Sequence, residues 1–223
     1  MPLELSHEKL NYLYGMVRKS VLGNPSEYDS YGVITEAFIL HKQPQERFTL
    51  FPQLFLPWNP NDPNDARGCL PDLGLGRYYD SVPHVRLQGG VKVKRAVAEI
   101  THLPSANDAA EIEALQTVIH TTVTQAEDQA KAAVKGGLLP GDKTLQWLIF
   151  VGPYFTCIRF GPFAGAQLQT RGHKPNDSGD WLAAIEIQRS KEKRQKYPIY
   201  LLGTSEAAAE LERFLDVTAA FYI

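Results

Sequence analysis

The chain has 223 residues, 43% of them hydrophobic and 10% aromatic, which is enough to bury one sizeable core and predicts a single domain over residues 1–223. The net charge of −2 excludes a global basic field, so any contact with nucleic acid has to come from a local patch. The sequence lacks a signal peptide and a run of about 18 apolar residues, which excludes a membrane span and predicts an intracellular protein, cytoplasmic or nuclear.

Cysteine, histidine and glycine usage excludes further classes of protein. Cys69 and Cys157 lie in apolar, strand-like runs, which favours reduced thiols over a disulfide framework. The six histidines show no spacing typical of metal ligands, so no structural zinc site is expected. Gly74 and Gly76 do not open a helix, as a dinucleotide-binding turn requires, and a Gly-x-Ser-x-Gly hydrolase motif is missing.

The first part of the chain predicts a helix, an ambiguous segment and a strand. Ser6 can cap a helix that runs to about residue 22, because apolar side chains recur there at helical spacing before a Gly-Asn-Pro stop. Residues 31–41 are apolar and fit either a helix or a strand, whereas residues 46–56 alternate as a strand does. Residues 57–67, rich in Pro, Asn and Asp, predict a loop that leads into the next strand.

Two strands joined by a polar loop come next. The first begins at Pro71-Asp72, and the second carries Lys92-Val93-Lys94 and, further along, Glu99. A turn near Val82 sets Asp72 opposite residue 92 in the resulting hairpin. Because side chains alternate along a strand, the two lysines share one face and the valine between them points to the core.

A long helix and a second hairpin follow. Ser105 opens the helix, which runs to about Lys135 and is stopped by Gly136-Gly137. Its Ala-rich apolar stripe is suited to lying on a sheet. Residues 145–151 and 154–160 are two β-rich runs separated by Gly-Pro, which predicts a hairpin.

The C-terminal part predicts two more strands and a final helix. Residues 182–189 and 199–202 are the strand candidates, and Thr204 or Ser205 caps the helix. The chain ends in Ala219-Ala220-Phe221-Tyr222-Ile223. This apolar end either folds into the protein's own core or docks on a protein partner or on a second copy in a homodimer.

The element order, Pro71-Asp72 and the partner strand together resemble the PD-(D/E)XK (restriction-endonuclease-like) nuclease superfamily over about residues 6–151. Three phrases are similar to nuclease-like domains of basidiomycete fungi: Leu87-Gln88-Gly89-Gly90, Glu127-Asp128-Gln129-Ala130-Lys131 and Phe150-Val151-Gly152-Pro153-Tyr154. The resemblance implies an α/β fold, with a restriction-endonuclease-like mixed β-sheet flanked by helices and a β-rich C-terminal extension over residues 152–223. It also implies hydrolysis of phosphodiester bonds in nucleic acid with Mg²⁺ or Mn²⁺ as cofactor.

The superfamily carries an acid-x-lysine motif on the second strand, and this chain offers two incomplete registers for it. Lys92-Val93-Lys94 keeps the lysine but has Lys92 in place of the acid, whereas Glu99-Ile100-Thr101 keeps the acid but has lost the lysine. Lys94 and Glu99 cannot combine on a regular strand, because residues five apart face opposite sides unless a bulge intervenes. Alternation and hairpin geometry favour the first register. Other acids that could complete a site are Glu8, Glu36 and Glu127.

The resemblance implies catalytic roles for three residues. Asp72 and Glu99 would hold the metal, and Lys94 would orient the attacking water and stabilise the phosphate. Contacts to nucleic acid are implied for Lys92, Arg95, Arg86, Gln125 and Gln129.

A catalytically inactive descendant is the alternative. Lys92 puts a positive charge where the divalent cation would sit, and at about 4 Å that repulsion is large even at intermediate dielectric. Such a domain would keep the fold and bind nucleic acid or a protein partner.

Overall fold

The computed structural model describes residues 5–21, 27–41, 48–58, 61, 68–69, 71–79, 82–95, 109–169 and 197–219. The helices in these ranges are α1 (His7–Val21), α2 (Glu27–His41), α3 (Ala109–Lys135), α4 (Gly165–Gln169) and α5 (Ser205–Ala219). The strands are β1 (Thr49–Pro52), β2 (Leu56–Pro57), β3 (Gly68–Cys69), β4 (Leu73–Tyr79), β5 (Val82–Lys94), β6 (Leu145–Val151), β7 (Tyr154–Phe160) and β8 (Tyr200–Leu201). None of the helices in this part of the chain has the length and apolar character that a membrane span needs.

Six strands form one mixed sheet in the order β1-β4-β5-β6-β7-β8, and β2 pairs with β3 separately. β5 and β6 are parallel, whereas the other neighbours in the six-stranded sheet are antiparallel. A parallel pair needs a crossover connection, and α3 lies in the connection between β5 and β6. The predicted α/β class, with a mixed sheet and helices packed on it, is confirmed.

Apolar side chains cover both faces of the sheet. Val91 and Val93 of β5 pack on one face with residues of α1, α2 and α5. The other face is covered by α3, whose apolar stripe packs on Ile149 of β6. Lys92 and Lys94 alternate with the two valines and therefore lie on the α3 side of the sheet.

The end of α3 follows from its glycines. Gly137 has a φ of 70°, a conformation that costs glycine no steric strain. The amides of Gly137 and Leu138 donate to the carbonyl oxygens of Val134 and Ala133 at 3.0 and 2.9 Å, which is the Schellman arrangement. The predicted glycine stop is confirmed, and Ser105, the predicted start, lies outside the described residues.

The structure resolves the ambiguous segment at residues 31–41 and corrects the strand predicted at residues 46–56. Residues 31–41, compatible with helix or strand, belong to α2, because Ile34 and Phe38 lie one helical turn apart and are both fully buried. The predicted strand over residues 46–56 is interrupted. β1 ends at Pro52 since Gln53, with a φ of 47°, turns the chain before β2 begins.

The C-terminal elements agree with the sequence pattern where they are described. β6 and β7 form the predicted hairpin, and Gly152 in its turn has a φ of 57°. β8 pairs with β7 and so extends the same sheet. Thr204 caps α5, because its Oγ1 accepts the amide hydrogen of Ala207 at 3.3 Å. The strand candidate at residues 182–189 and the tail at residues 220–223 lie outside the described residues.

Buried His41, at the end of α2, is expected to make stability depend on pH. Its Nδ1 donates to the carbonyl oxygen of Ala37 at 2.6 Å, but burial outweighs this bond and lowers the pKa of His41 below its usual 6.5. The unfolded chain therefore binds the proton first, and stability present above pH 6.5 is lost as the pH falls below that value. The drop in urea midpoint between pH 8 and pH 5.5 should be smaller in His41→Leu than in wild type. A drop that is unchanged in His41→Leu, or equally reduced by replacing exposed His7, would contradict this role.

Candidate functional site

Asp72 is held by its backbone at the start of β4. Its amide donates to the carbonyl oxygen of Val91 at 3.1 Å, and its own carbonyl accepts the amide of Gln53 at 3.0 Å. The β4-β5 register pairs Leu73 with Val91, so Asp72 lies opposite Lys92 as the hairpin geometry predicts. The turn is displaced, however. Val82 belongs to β5 and pairs with Tyr79, since two register shifts in the hairpin move the turn toward β4.

The Asp72 carboxylate accepts three close contacts from β5. Lys92 Nζ lies 2.9 Å from Oδ2 and 3.0 Å from Oδ1. The amide of Val93 donates to Oδ2 at 2.6 Å. The two charged side chains are only 13% and 11% exposed, so the ion pair is largely shielded from water. The positive charge that pairs with Asp72 is thus supplied by Lys92 of the same chain.

The side chains along β5 alternate between the two faces of the sheet as the sequence predicts. Lys92 and Lys94 lie on one face, with the Lys92 side chain mostly buried and Lys94 half-buried, and Val91 and Val93 are buried on the other face. The second register, around Glu99, lies outside the described residues. The structure therefore brings Asp72 and Lys92 together and puts Lys94 two residues further along the same face.

The described residues do not fit a Mg²⁺ or Mn²⁺ ion at Asp72. Within residues 71–79 and 82–95, and across the rest of the described chain, no group of three or more His, Cys, Asp and Glu side chains is arranged to hold a metal. Both oxygens of the Asp72 carboxylate are engaged by the Lys92 ammonium, which occupies the position that a divalent cation needs.

The other acids considered from the sequence do not complete a site. Glu8 and Glu36 belong to α1 and α2, which pack on the face of the sheet opposite Lys92. Glu127 lies on α3 and forms an ion pair with Lys131 at 2.8 Å.

The residues predicted to contact nucleic acid are spread over two elements. Arg95 is exposed just after β5, close in sequence to Lys94. Arg86 is also exposed, but it precedes Lys92 by six residues, about 20 Å along a strand, and so lies outside the Asp72 site. Gln125 is half-buried and Gln129 buried on α3, which packs on β5 and β6.

The Cys157 thiol does not supply a nucleophile. Both cysteines are free thiols, as their apolar surroundings predict. Burial raises the pKa of Cys157 to about 12, with Glu210 adding to the shift, so this thiol stays protonated and is a poor nucleophile at neutral pH.

A second concave site has no counterpart in the sequence motifs. A cavity of about 610 Å³ lies between α3, the start of β7, residues 197–201 and the start of α5. Its walls come from three separate stretches of the chain, so no local motif marks it.

Gln116 of α3 joins two of these walls. Its Nε2 donates to the carbonyl oxygen of Tyr197 at 2.6 Å, and its Oε1 accepts the amide of Tyr197 at 3.0 Å. The side-chain amide thus bonds both backbone polar groups of one residue, as a neighbouring strand would.

Gln116→Ala is expected to lower the free energy of unfolding by about 2 kcal/mol, because two hydrogen bonds worth about 1 kcal/mol each are lost. Denaturant titration measures the change. Thr117→Ala is the matched control, since the Thr117 hydroxyl bonds to the Glu113 carbonyl in its own helix turn and, within the described part of the chain, to no other element. A loss no larger in Gln116→Ala than in Thr117→Ala would contradict a structural role for this contact.

The chain was compared with protein-family models, curated proteins and solved structures, and no match was found in any of the three. Functional inference therefore depends on the geometry of Asp72, Lys92 and their surroundings.

Proposed function

We propose that this protein is a nuclease-like domain that has lost metal-dependent catalysis and binds the phosphodiester backbone of nucleic acid. The strand order supports the nuclease-like fold. β1, β4 and β5 are consecutive antiparallel neighbours, and β6 is parallel to β5 after the α3 crossover. This is the order expected of the PD-(D/E)XK core, and Asp72 precedes β4 where the Pro-Asp motif belongs.

The single observation that carries the loss of catalysis is the ion pair between Asp72 and Lys92, at 2.9 Å. A divalent cation about 4 Å from this ammonium would be repelled by about 8 kcal/mol at an effective dielectric of 20. Metal binding would therefore require the lysine to leave its partner, and removing one member of a shielded pair costs about 3 kcal/mol or more.

The charges around the pair favour an anionic ligand. Asp72 contributes −1, while Lys92, Lys94 and Arg95 contribute +3, so the four side chains sum to +2. Arg95 is exposed and Lys94 is half-buried, so both can be reached from solvent. Lysine and arginine bind phosphate oxygens without reading sequence, and we expect affinity with little base specificity.

The test is fluorescence anisotropy with labelled single-stranded and duplex DNA and RNA, in EDTA and in 5 mM Mg²⁺. We expect binding that does not require Mg²⁺, that is no tighter in Mg²⁺ than in EDTA, and that weakens steeply with salt. Lys94→Ala and Arg95→Ala should each reduce the slope of log Kd against log salt by about one. Lys19→Ala, an exposed lysine on α1 across the sheet, is the control and should leave the slope unchanged. No binding at low salt would overturn the proposal and direct the search to a protein partner.

Metal-dependent nucleic-acid hydrolysis is the second candidate, favoured by the pairing of Asp72 with a strand that carries Lys94. It would require Glu99 to supply the second carboxylate and Lys92 to release Asp72. Calorimetry with Mg²⁺ and Mn²⁺ on wild type and Asp72→Asn, beside a cleavage assay, separates the two candidates. Metal binding and cleavage that are both lost in Asp72→Asn would replace the binding-only proposal with the nuclease.

A further inference from the structure

The cavity between α3, β7 and α5 has the size of a small-molecule site. Its volume of about 610 Å³ falls within the range of about 300–1,000 Å³ that is usual for ligand pockets. Apolar and aromatic side chains make up most of the lining. Those that matter for recognition are Leu115, Ile112, Tyr154, Tyr197 and Tyr200.

The charged side chains in the lining are acidic. Glu111 is buried in the first turn of α3, and Glu206 lies exposed in the first turn of α5. The backbone amide of Glu206 and the Ser205 hydroxyl lower the pKa of Glu206, so this side chain is negative at neutral pH. Lysine, arginine and histidine do not occur among the described residues that line the cavity. Carboxylates beside aromatic faces attract cations.

The Tyr154 hydroxyl is a polar group that a ligand would satisfy. The Tyr154 side chain lines the cavity and is 7% exposed, and among the described residues its hydroxyl has no hydrogen-bond partner. Burial raises the pKa of Tyr154, and the nearby Glu111 and Tyr14 add to the shift, so the hydroxyl stays protonated. A buried hydroxyl without a partner is destabilising, and a ligand that donates a hydrogen to its oxygen would recover part of that loss.

We propose that this cavity binds a hydrophobic primary amine in its ammonium form. The apolar body of the amine packs against Leu115 and the tyrosine rings, and the ammonium group lies against the Glu111 carboxylate and donates to the Tyr154 oxygen. An anionic ligand would be repelled by Glu111 and Glu206. A neutral alcohol would gain no charge attraction from the Glu111 carboxylate. The site therefore selects by charge as well as by shape.

The experiment is calorimetry with three ligands of similar shape: phenethylammonium, 2-phenylethanol and 3-phenylpropionate. We expect phenethylammonium to bind at least tenfold more tightly than the alcohol, and the carboxylate not to bind. Glu111→Gln should abolish the preference for the cation. Glu113→Gln, an exposed glutamate on the same helix, should keep it. Equal binding of cation and alcohol, no binding of the cation, or an unchanged preference in Glu111→Gln would overturn the proposal.

A second pair of variants keeps the test independent of any folding defect in Glu111→Gln. Ile112, at the cavity, and Val217, on α5 outside the lining, are 38% and 37% exposed, so both tolerate a larger side chain. Ile112→Trp should weaken phenethylammonium binding at least tenfold with an unchanged melting temperature. Val217→Trp should bind as wild type does. Unchanged binding in Ile112→Trp would contradict this location of the site.

Discussion

Replacing Lys92 with glutamate is expected to make folding stability depend on Mg²⁺. Lys92→Glu removes the ammonium 2.9 Å from Asp72 and puts a second carboxylate beside the first. In EDTA the two charges repel, and we expect a loss of about 4 kcal/mol, or about 10 °C in melting temperature for a chain of this size. The change also creates an acid-x-lysine motif with Lys94. Mg²⁺ at a hundredfold excess over its Kd should therefore restore about 2.7 kcal/mol of folding stability.

Two further variants test the cause of this effect in the same thermal-melting measurement. Lys92→Met removes the ion pair without adding a carboxylate, so it should be destabilised and insensitive to Mg²⁺. Lys92→Glu combined with Asp72→Asn should lose the Mg²⁺ response, since only one charged ligand remains. A melting temperature of Lys92→Glu that Mg²⁺ does not raise would mean that Lys92 is not in the position of a metal ligand.

A methyl group at Gly90 is expected to destabilise the protein by about 3 kcal/mol or more, because a buried ring lies where the methyl would go. A Cβ on Gly90 would overlap with Cζ2 and Cε2 of the Trp147 ring, far inside van der Waals contact. Trp147 is fully buried in the sheet next to Gly90, so its ring has no room to withdraw. Gly90→Ala should therefore lower the melting temperature by about 10 °C.

Gly32→Ala is the matched control for Gly90→Ala. Gly32 lies on α2, and a Cβ added to it would have no neighbouring atom within 4 Å, so alanine should stabilise that helix by about 0.5–1 kcal/mol. The double variant Gly90→Ala with Trp147→Leu should lose less stability than the sum of the losses in the two single variants, because the smaller leucine side chain relieves the clash. A Gly90→Ala protein that melts within 2 °C of wild type would contradict the close contact.

The sequence predicts the parts of the fold that have strong local patterns. The glycine stop of α3, the β6-β7 hairpin and the position of Asp72 opposite residue 92 all follow from periodicity and strand alternation. The displaced turn at Val82 does not, because a bulge changes the register without changing the apolar pattern. The apolar pattern of residues 31–41 fits both a helix and a strand, and packing against the sheet and the other helices determines that they form a helix.

The sequence predicts that Asp72 lies opposite residue 92, but it does not predict how the two side chains interact. The resemblance to the nuclease superfamily implies an acid at position 92, and the lysine found there predicts repulsion of a cation. The structure adds that Lys92 forms an ion pair with Asp72. The 610 Å³ cavity could not be predicted, because Glu111, Tyr154, Tyr197 and Thr204 meet only after folding.

The parallel pairing of β5 with β6 has a consequence for the order of folding. Gly90 pairs with Trp147, so this contact spans 147 − 90 = 57 residues of chain. The two flanking hairpins, β4-β5 and β6-β7, need only short loops and close at a much smaller entropy cost. We expect both hairpins to form before the centre of the sheet joins, so that Val93→Ala and Ile149→Val speed unfolding more than they slow folding. If both substitutions slowed folding more than they sped unfolding, the central strand pairing would form early and this order would be contradicted.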